Sequence, residues 1–228
     1  MAVPLSITWQ LKDILALSFV RGLTAVTLRS LVEKYSSLEE LFKKPPETKV
    51  GQRLLQNDLF LNSGLTALRN EAEKQIELCQ RRSVQIISYW DDGYPDLLRL
   101  IPFPPALLFV RGKLSTEKDS IGIVGTRLCT NYGKLTTERF AETFSKNGLI
   151  VTSGLANGID SIAHKAVVNA GGVTYAVIAS GIDCISPQLS AKLAEQISEK
   201  GAVISEYRCG IRALPAYFPQ RNRIISGL

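Results

Sequence analysis

Histidine is nearly absent: His164 is the single one among 228 residues. That excludes any site built on two imidazoles and leaves a serine or cysteine nucleophile only one candidate base. The four cysteines, Cys79, Cys129, Cys184 and Cys209, form no C-x-x-C pair and have no companion histidines at metal-ligand spacing. No metal site is expected, and the thiols read as reduced and structural. No apolar run reaches the roughly 18 residues of a membrane-spanning helix, and Lys12-Asp13 interrupts the apolar N-terminus, which has neither a basic n-region nor a small-residue cleavage site. A cytoplasmic location without membrane contact is the expectation. Internal repeats and low-complexity tracts are missing too. So are G-x-G-x-x-G and G-x-x-x-x-G-K-[ST], since Gly133-Lys134 is followed by Leu135. No standard nucleotide-cofactor site is expected.

What is present is an ordinary globular mixture, 45% hydrophobic and 21% charged, with a formal charge of +6. This balance admits a polyanionic partner without requiring one. Residues 1 to 85 hold 12 basic and 9 acidic groups and the remainder hold 15 and 12, so neither part is a basic tail. Beyond Glu206, however, Arg208, Arg212, Arg221 and Arg223 follow with no acid among them.

Helical spacing of apolar residues predicts short amphipathic helices from Ile7 to about Phe42, with a Gly-containing break at Val20-Arg21-Gly22-Leu23-Thr24 of helix-hairpin-helix size. Ser36 to Glu40 resembles an N-cap with acids in the next first turn. A longer helix is predicted from Thr66 to Arg81, then a β-rich run at Val84 to Tyr89. Tyr94 to Pro105 is too proline-dense for a regular element and reads as an extended connector. From Ser120, buried-type strands alternate with helices of ten or more residues, the signature of a parallel sheet covered on both faces. The fold class is α/β: a Rossmann-like doubly wound, mainly parallel sheet over 84–228, behind a small all-α helix-hairpin-helix or SAM-like domain over 1–83.

Ligands of such sheets bind beyond the carboxyl ends of the strands, which directs attention to four loops. Gly125-Thr126-Arg127 combines a close-approach glycine with a guanidinium able to take a phosphate, or is merely a turn with a solvated arginine. Ser153-Gly154-Leu155-Ala156-Asn157-Gly158-Ile159-Asp160 leads into a helix with amides available to an anion, although Asp160 serves equally as a plain cap. His164, one helical turn on, reads as hydrogen-bonded and structural. Ala179-Ser180-Gly181-Ile182-Asp183 is a third glycine-bearing loop. Ser205-Glu206-Tyr207 runs into a basic segment ending Tyr217-Phe218-Pro219-Gln220-Arg221-Asn222-Arg223, where interleaved stacking faces and guanidiniums suit an unpaired nucleic-acid strand; taken alone, the segment reads more simply as an aromatic-anchored loop packed on the domain.

Together these strings resemble the DNA-processing protein A family (DprA, also called Smf), whose pattern runs G-[ST]-R, Y-G, S-G-L-A-x-G-I-D-x-x-A-H, G-x-D-x-x-x-P, S-E and F-P-x-R-N-R-I-I-[AS]-G-L. Here they stand as Gly125 to Arg127, Tyr132-Gly133, Ser153 to His164, Gly181 to Asp183 with Pro187, Ser205-Glu206, and Phe218 to Leu228. The resemblance implies a non-enzymatic protein of DNA uptake that coats incoming single-stranded DNA and assists loading of the RecA recombinase during natural transformation. It implies a DNA-binding pocket drawn from Gly125, Thr126, Arg127, Ser153, Gly154, Asn157, Gly158, Gly181, Phe218, Arg221, Asn222 and Arg223. Asn157 stands where the family often carries Lys or Arg, and Ser186 where an aromatic precedes the proline. The family continues past the position of Leu228 with strands that complete the sheet and contribute to homodimers, so an incomplete sheet and impaired dimerisation are expected. The alternative is a phosphoribohydrolase-like enzyme on a related sheet. Its P-G-G-x-G-T-x-x-E string is missing, but Glu206 and Asp183 remain as carboxylates.

Overall fold

The computed structural model describes residues 7–20, 22–55, 64–115 and 119–228, without the side chains of 53–55; Arg21 of the hairpin break lies outside them. Among the described residues five helices come first: α1 (Leu11–Ser18), α2 (Ala25–Lys34), α3 (Leu38–Lys43), α4 (Lys49–Leu55) and α5 (Gly64–Arg81). Local chemistry starts two of them. Thr24 Oγ1 accepts the Thr27 amide, and Ser37 Oγ accepts the Glu40 amide while the Glu40 carboxylate takes the Ser36 N–H. Asp13 joins α1 to α5 through a two-bond pair with Arg69, at 2.6 and 2.7 Å.

The sheet follows: β1 (Val84–Ser88), the one-turn α6 (Asp96–Arg99), β2 (Leu107–Gly112), β3 (Ser120–Gly122), α7 (Asn131–Lys146), β4 (Ile150–Ser153), α8 (Ile159–Asn169), β5 (Thr174–Ile178), α9 (Ala191–Lys200), β6 (Ala202–Ser205) and α10 (Tyr217–Ile225). Strand order is β1-β2-β6-β5-β4-β3. β3 to β6 are parallel neighbours, and β1 and β2 add an antiparallel hairpin beside β6. Each βαβ step moves one strand further along the sheet, which keeps the crossover helices on one face. There α9 packs Leu193 and Ile197 near Ala176, Ile178 and Val203, and α7 and α8 pack Ala141 and Val167 on Val151. α10 lies on the opposite face, with Ile224 and Ile225 against Tyr175, Val177 and Ile204. Helices therefore cover both faces of a mixed, mainly parallel, Rossmann-like sheet.

The N-terminal helices do not form a separate core. Leu15, Leu31, Leu41 and Leu68 belong to the same buried cluster as Phe109, Ile178 and Val203, and Arg82 pairs with Asp183 at 2.5 Å. Two local expectations need correction. The connector from Tyr94 is not wholly extended: Leu98 is buried by one helical turn, and the Tyr94 hydroxyl donates to Pro105 O at 2.8 Å. The basic segment from Tyr217 is a helix, because Pro219 falls in the first turn, where its missing N–H is no loss.

Among the described residues β3 pairs with β4 alone. Along this edge Val124, Leu128, Tyr132, Leu135 and Phe140 are exposed.

Candidate nucleic-acid interface

The carboxyl ends of β3 and β4 and the first turn of α10 surround one mouth. Two glycines let its walls touch. Gly158 has φ +82°, and a side chain there would stand 2.2 Å from Thr126 O, so the loops after β3 and β4 lie against each other. A methyl group on Gly154 would meet Arg221 Nη1 at 1.8 Å. Leu155 holds a positive φ of 59° while fully buried, a conformation that surrounding packing must enforce.

Part of the glycine loop's amide set is taken from within. Asp160, in the first turn of α8, accepts the Gly154 N–H at 3.1 Å, a carboxylate well placed at the start of a helix. Burial raises its pKa; Arg221 beside it acts against that rise. Arg221 is itself only 4% exposed and donates to Val177 O of β5 at 2.6 Å. His164 completes this buried set. Its Nδ1 lies 2.7 Å from Thr174 Oγ1, whose single proton goes to Val151 O, so Nδ1 is the donor. Burial, with the Arg221 charge next, pushes the His164 pKa down to about 3. The imidazole is neutral, structural and inaccessible as a base.

The helical form of α10 sorts its residues by face. Arg221 points inward. Phe218 turns to the mouth, where the Arg127 guanidinium lies 5.6 Å from its ring centroid. Asn222, one turn after Phe218, is exposed, as are Arg127, Thr126 and Asn157. Arg223 leaves the mouth and pairs with Glu206. Of the residues singled out in the sequence, then, Gly125, Thr126, Arg127, Asn157, Gly158, Phe218 and Asn222 gather at the mouth. Ser153, Gly154 and Arg221 are buried beneath it, and Gly181 is buried elsewhere, against Arg208 and Cys209. Ser153 Oγ donates to Ile123 O at 2.5 Å, and the Gly181 N–H donates to Ile211 O at 2.8 Å.

The carboxylates of the hydrolytic alternative are engaged inside the protein. Asp183 accepts the Gly210 amide at 2.8 Å and pairs with Arg82, and Glu206 pairs with Arg223. Burial raises the Glu206 pKa, with Arg223 opposing. Among the described residues no group of three or more His, Cys, Asp or Glu side chains is placed to hold a metal ion, and no helix is long and apolar enough to cross a membrane. Sequence reasoning did not foresee that Arg221 would be buried near Asp160 and bonded to Val177 O; the glycine at position 154, facing a guanidinium, is its one local trace.

Fold and site together define a Rossmann-like α/β protein: a mixed, mainly parallel sheet whose strand-end mouth pairs an exposed guanidinium with an aromatic ring, above carboxylates engaged by internal partners. The chain belongs to the DNA recombination-mediator protein A family, whose model matches residues 85–228. It is 34% identical to Protein Smf of Synechocystis sp. over 94% of this chain and 55% of that protein, and 33% identical to DNA processing protein DprA of Bacillus subtilis over 85% of this chain and 68% of that protein. It thus spans little more than half the length of the Synechocystis relative. The X-ray structure of DNA processing protein A from Streptococcus pneumoniae superposes with a TM-score of 0.69 at 29% identity, covering 95% of this chain and 74% of that one. The Helicobacter pylori protein, whose structure was described for its single-stranded DNA binding mode, superposes with a TM-score of 0.57 at 26% identity, over 63% and 65%.

Proposed function

We propose that this chain binds single-stranded DNA at the mouth, without turning it over, and that it protects incoming strands and passes them to a RecA-type recombinase. The observation that carries this reading is Arg127, exposed at the strand ends with its guanidinium over Phe218. A ring and a fixed positive charge side by side serve an unpaired strand, because every base has a π-face and every linkage a phosphate. These contacts are a guanidinium and a ring rather than a helix face reading base edges in a groove, so little sequence preference is expected. The binding described for the Helicobacter pylori relative supports the same ligand. Engagement of Asp160, Asp183 and Glu206 by internal partners favours binding over hydrolysis. A cytoplasmic location and a homodimer belong to this reading as well.

Fluorescence anisotropy with oligo-dT and its duplex tests it. Tighter binding of the single strand is expected, with log K falling against log salt at a slope of about −2, for roughly three phosphates neutralised. Equal affinity for duplex, or a flat salt response, would refute it, as would catalytic base release from nucleotides.

A further inference from the structure

A second concavity, of about 1370 Å³, opens between the helical layer and the end of β6. It exceeds the roughly 300–1,000 Å³ that enclose a small ligand, and so suits a length of polymer. One wall carries Phe19 and Val26 from the helical layer, and the other carries Tyr207, Arg208, Tyr217 and Gln220.

Three features of this cleft point to a ligand. Tyr207 and Tyr217 stack with centroids 4.3 Å apart and planes 21° apart, a ready aromatic platform. Arg208 lies 4.4 Å over the Phe19 ring and forms no ion pair among the described residues. On the floor the Glu206–Arg223 pair leaves one carboxylate oxygen, Oε2, and one guanidinium nitrogen, Nη1, buried with no hydrogen-bond partner. Orphaned atoms of this kind are uncommon in native proteins and call for an explanation. The cleft also adjoins the mouth. Tyr217 and Phe218 are consecutive in the first turn of α10 and have different neighbours, Phe218 meeting Arg127 and Tyr217 meeting Tyr207.

We propose that this cleft is a second strand-binding subsite: a single strand held at the mouth continues over the first turn of α10, stacks a base on the Tyr207–Tyr217 pair and sets a phosphate against Arg208. The cleft suits nucleotides better than an apolar peptide, since its free charge is positive and its one acid is already paired. This rests on the single-strand reading above and extends the bound length.

The test compares two lengths of oligo-dT, about four and about twelve nucleotides, on the full chain and two variants. Val26→Glu puts a negative charge on the cleft wall at an exposed site in the first turn of α2, where an acid favours the helix. Tyr207→Leu removes one face of the platform. The wild type should bind the longer strand more tightly. Each variant should weaken the longer strand about tenfold, as loss of one stacked base does, and leave the short strand unchanged. A 2-aminopurine at the far end of the long strand should be quenched by the wild type and not by Tyr207→Leu. Equal loss for both lengths, or no loss for either, overturns the cleft and leaves the mouth standing. Failure of the wild type to bind either length ends the single-strand reading and this proposal with it.

Discussion

Arg127 and Arg221 flank the same mouth and carry the same charge, yet the regions that hold them do opposite work. The loop after β3 leaves Arg127 in solvent with a single aromatic neighbour. The second turn of α10 takes Arg221 under the glycine loop, beside Asp160 and His164 and onto a carbonyl of β5. A guanidinium in water keeps its hydration and is free to exchange it for a phosphate. A buried one is held by every partner that replaced its water, and removing it strands those partners. Basic residues in a motif therefore count as ligand contacts only after their burial is known.

The sharpest way to break this comparison is Arg221→Met, which keeps much of the side-chain volume and deletes the charge. It should cost about 1–3 kcal/mol, because Val177 O loses its buried hydrogen bond and the Asp160 carboxylate loses the neighbouring positive charge. A denaturant titration should show the loss with or without DNA. Unchanged stability together with lost binding would put Arg221 with the ligand contacts after all.

His164 sharpens the same point through pH. Its folded pKa lies near 3 against 6.5 in the open chain, so between these values the unfolded state holds more protons. Stability from this group is complete above about pH 6.5 and falls as pH drops, by up to about 1.4 kcal/mol per unit. Asp160, whose pKa is raised by burial, acts in the opposite sense, losing stability as pH rises through the ordinary carboxylate range. The difference between wild type and His164→Gln isolates the histidine, and that difference should narrow steadily from pH 6.5 to 4. A constant difference would mean that the imidazole reaches solvent.

Arg127→Ala makes the converse prediction. Single-strand affinity should fall by about tenfold or more, the worth of a charge-assisted contact. The melting temperature should stay within about a degree or two, as for an exposed side chain without a buried partner. Lost binding accompanied by a lowered melt would make Arg127 structural and remove the contrast. The smallest effect concerns the β3 edge. Leu128 is 92% and Phe140 53% exposed there, so sedimentation velocity should show concentration-dependent self-association that Leu128→Lys with Phe140→Lys reduces. A defined dimer unaffected by both substitutions would place the contact elsewhere.

Much of this was legible in the chain. The order of strands and helices from Ser120 onward, the four loops and the bland role of His164 all followed from periodicity, glycine placement and the rule that ligands sit at strand ends. The amide-rich loop before α8 was legible only as a choice between an external anion and Asp160, because both leave the same local pattern. The segment from Tyr217 read as a loop because its proline and mixed polarity hid a first-turn proline and a helix with three different faces.

What the sequence determined by itself is what neighbours in the chain decide: which stretches are strand or helix, where glycine is obligatory, and which family the strings resemble. Only the tertiary structure decided which guanidiniums meet water. Arg221 finds its acceptor 44 residues away in β5, Arg223 finds Glu206 17 residues away, and the helical layer and β6 enclose a cleft that neither forms alone. Desolvation depends on everything packed around a group, and that environment is assembled from segments whose proximity no local pattern encodes.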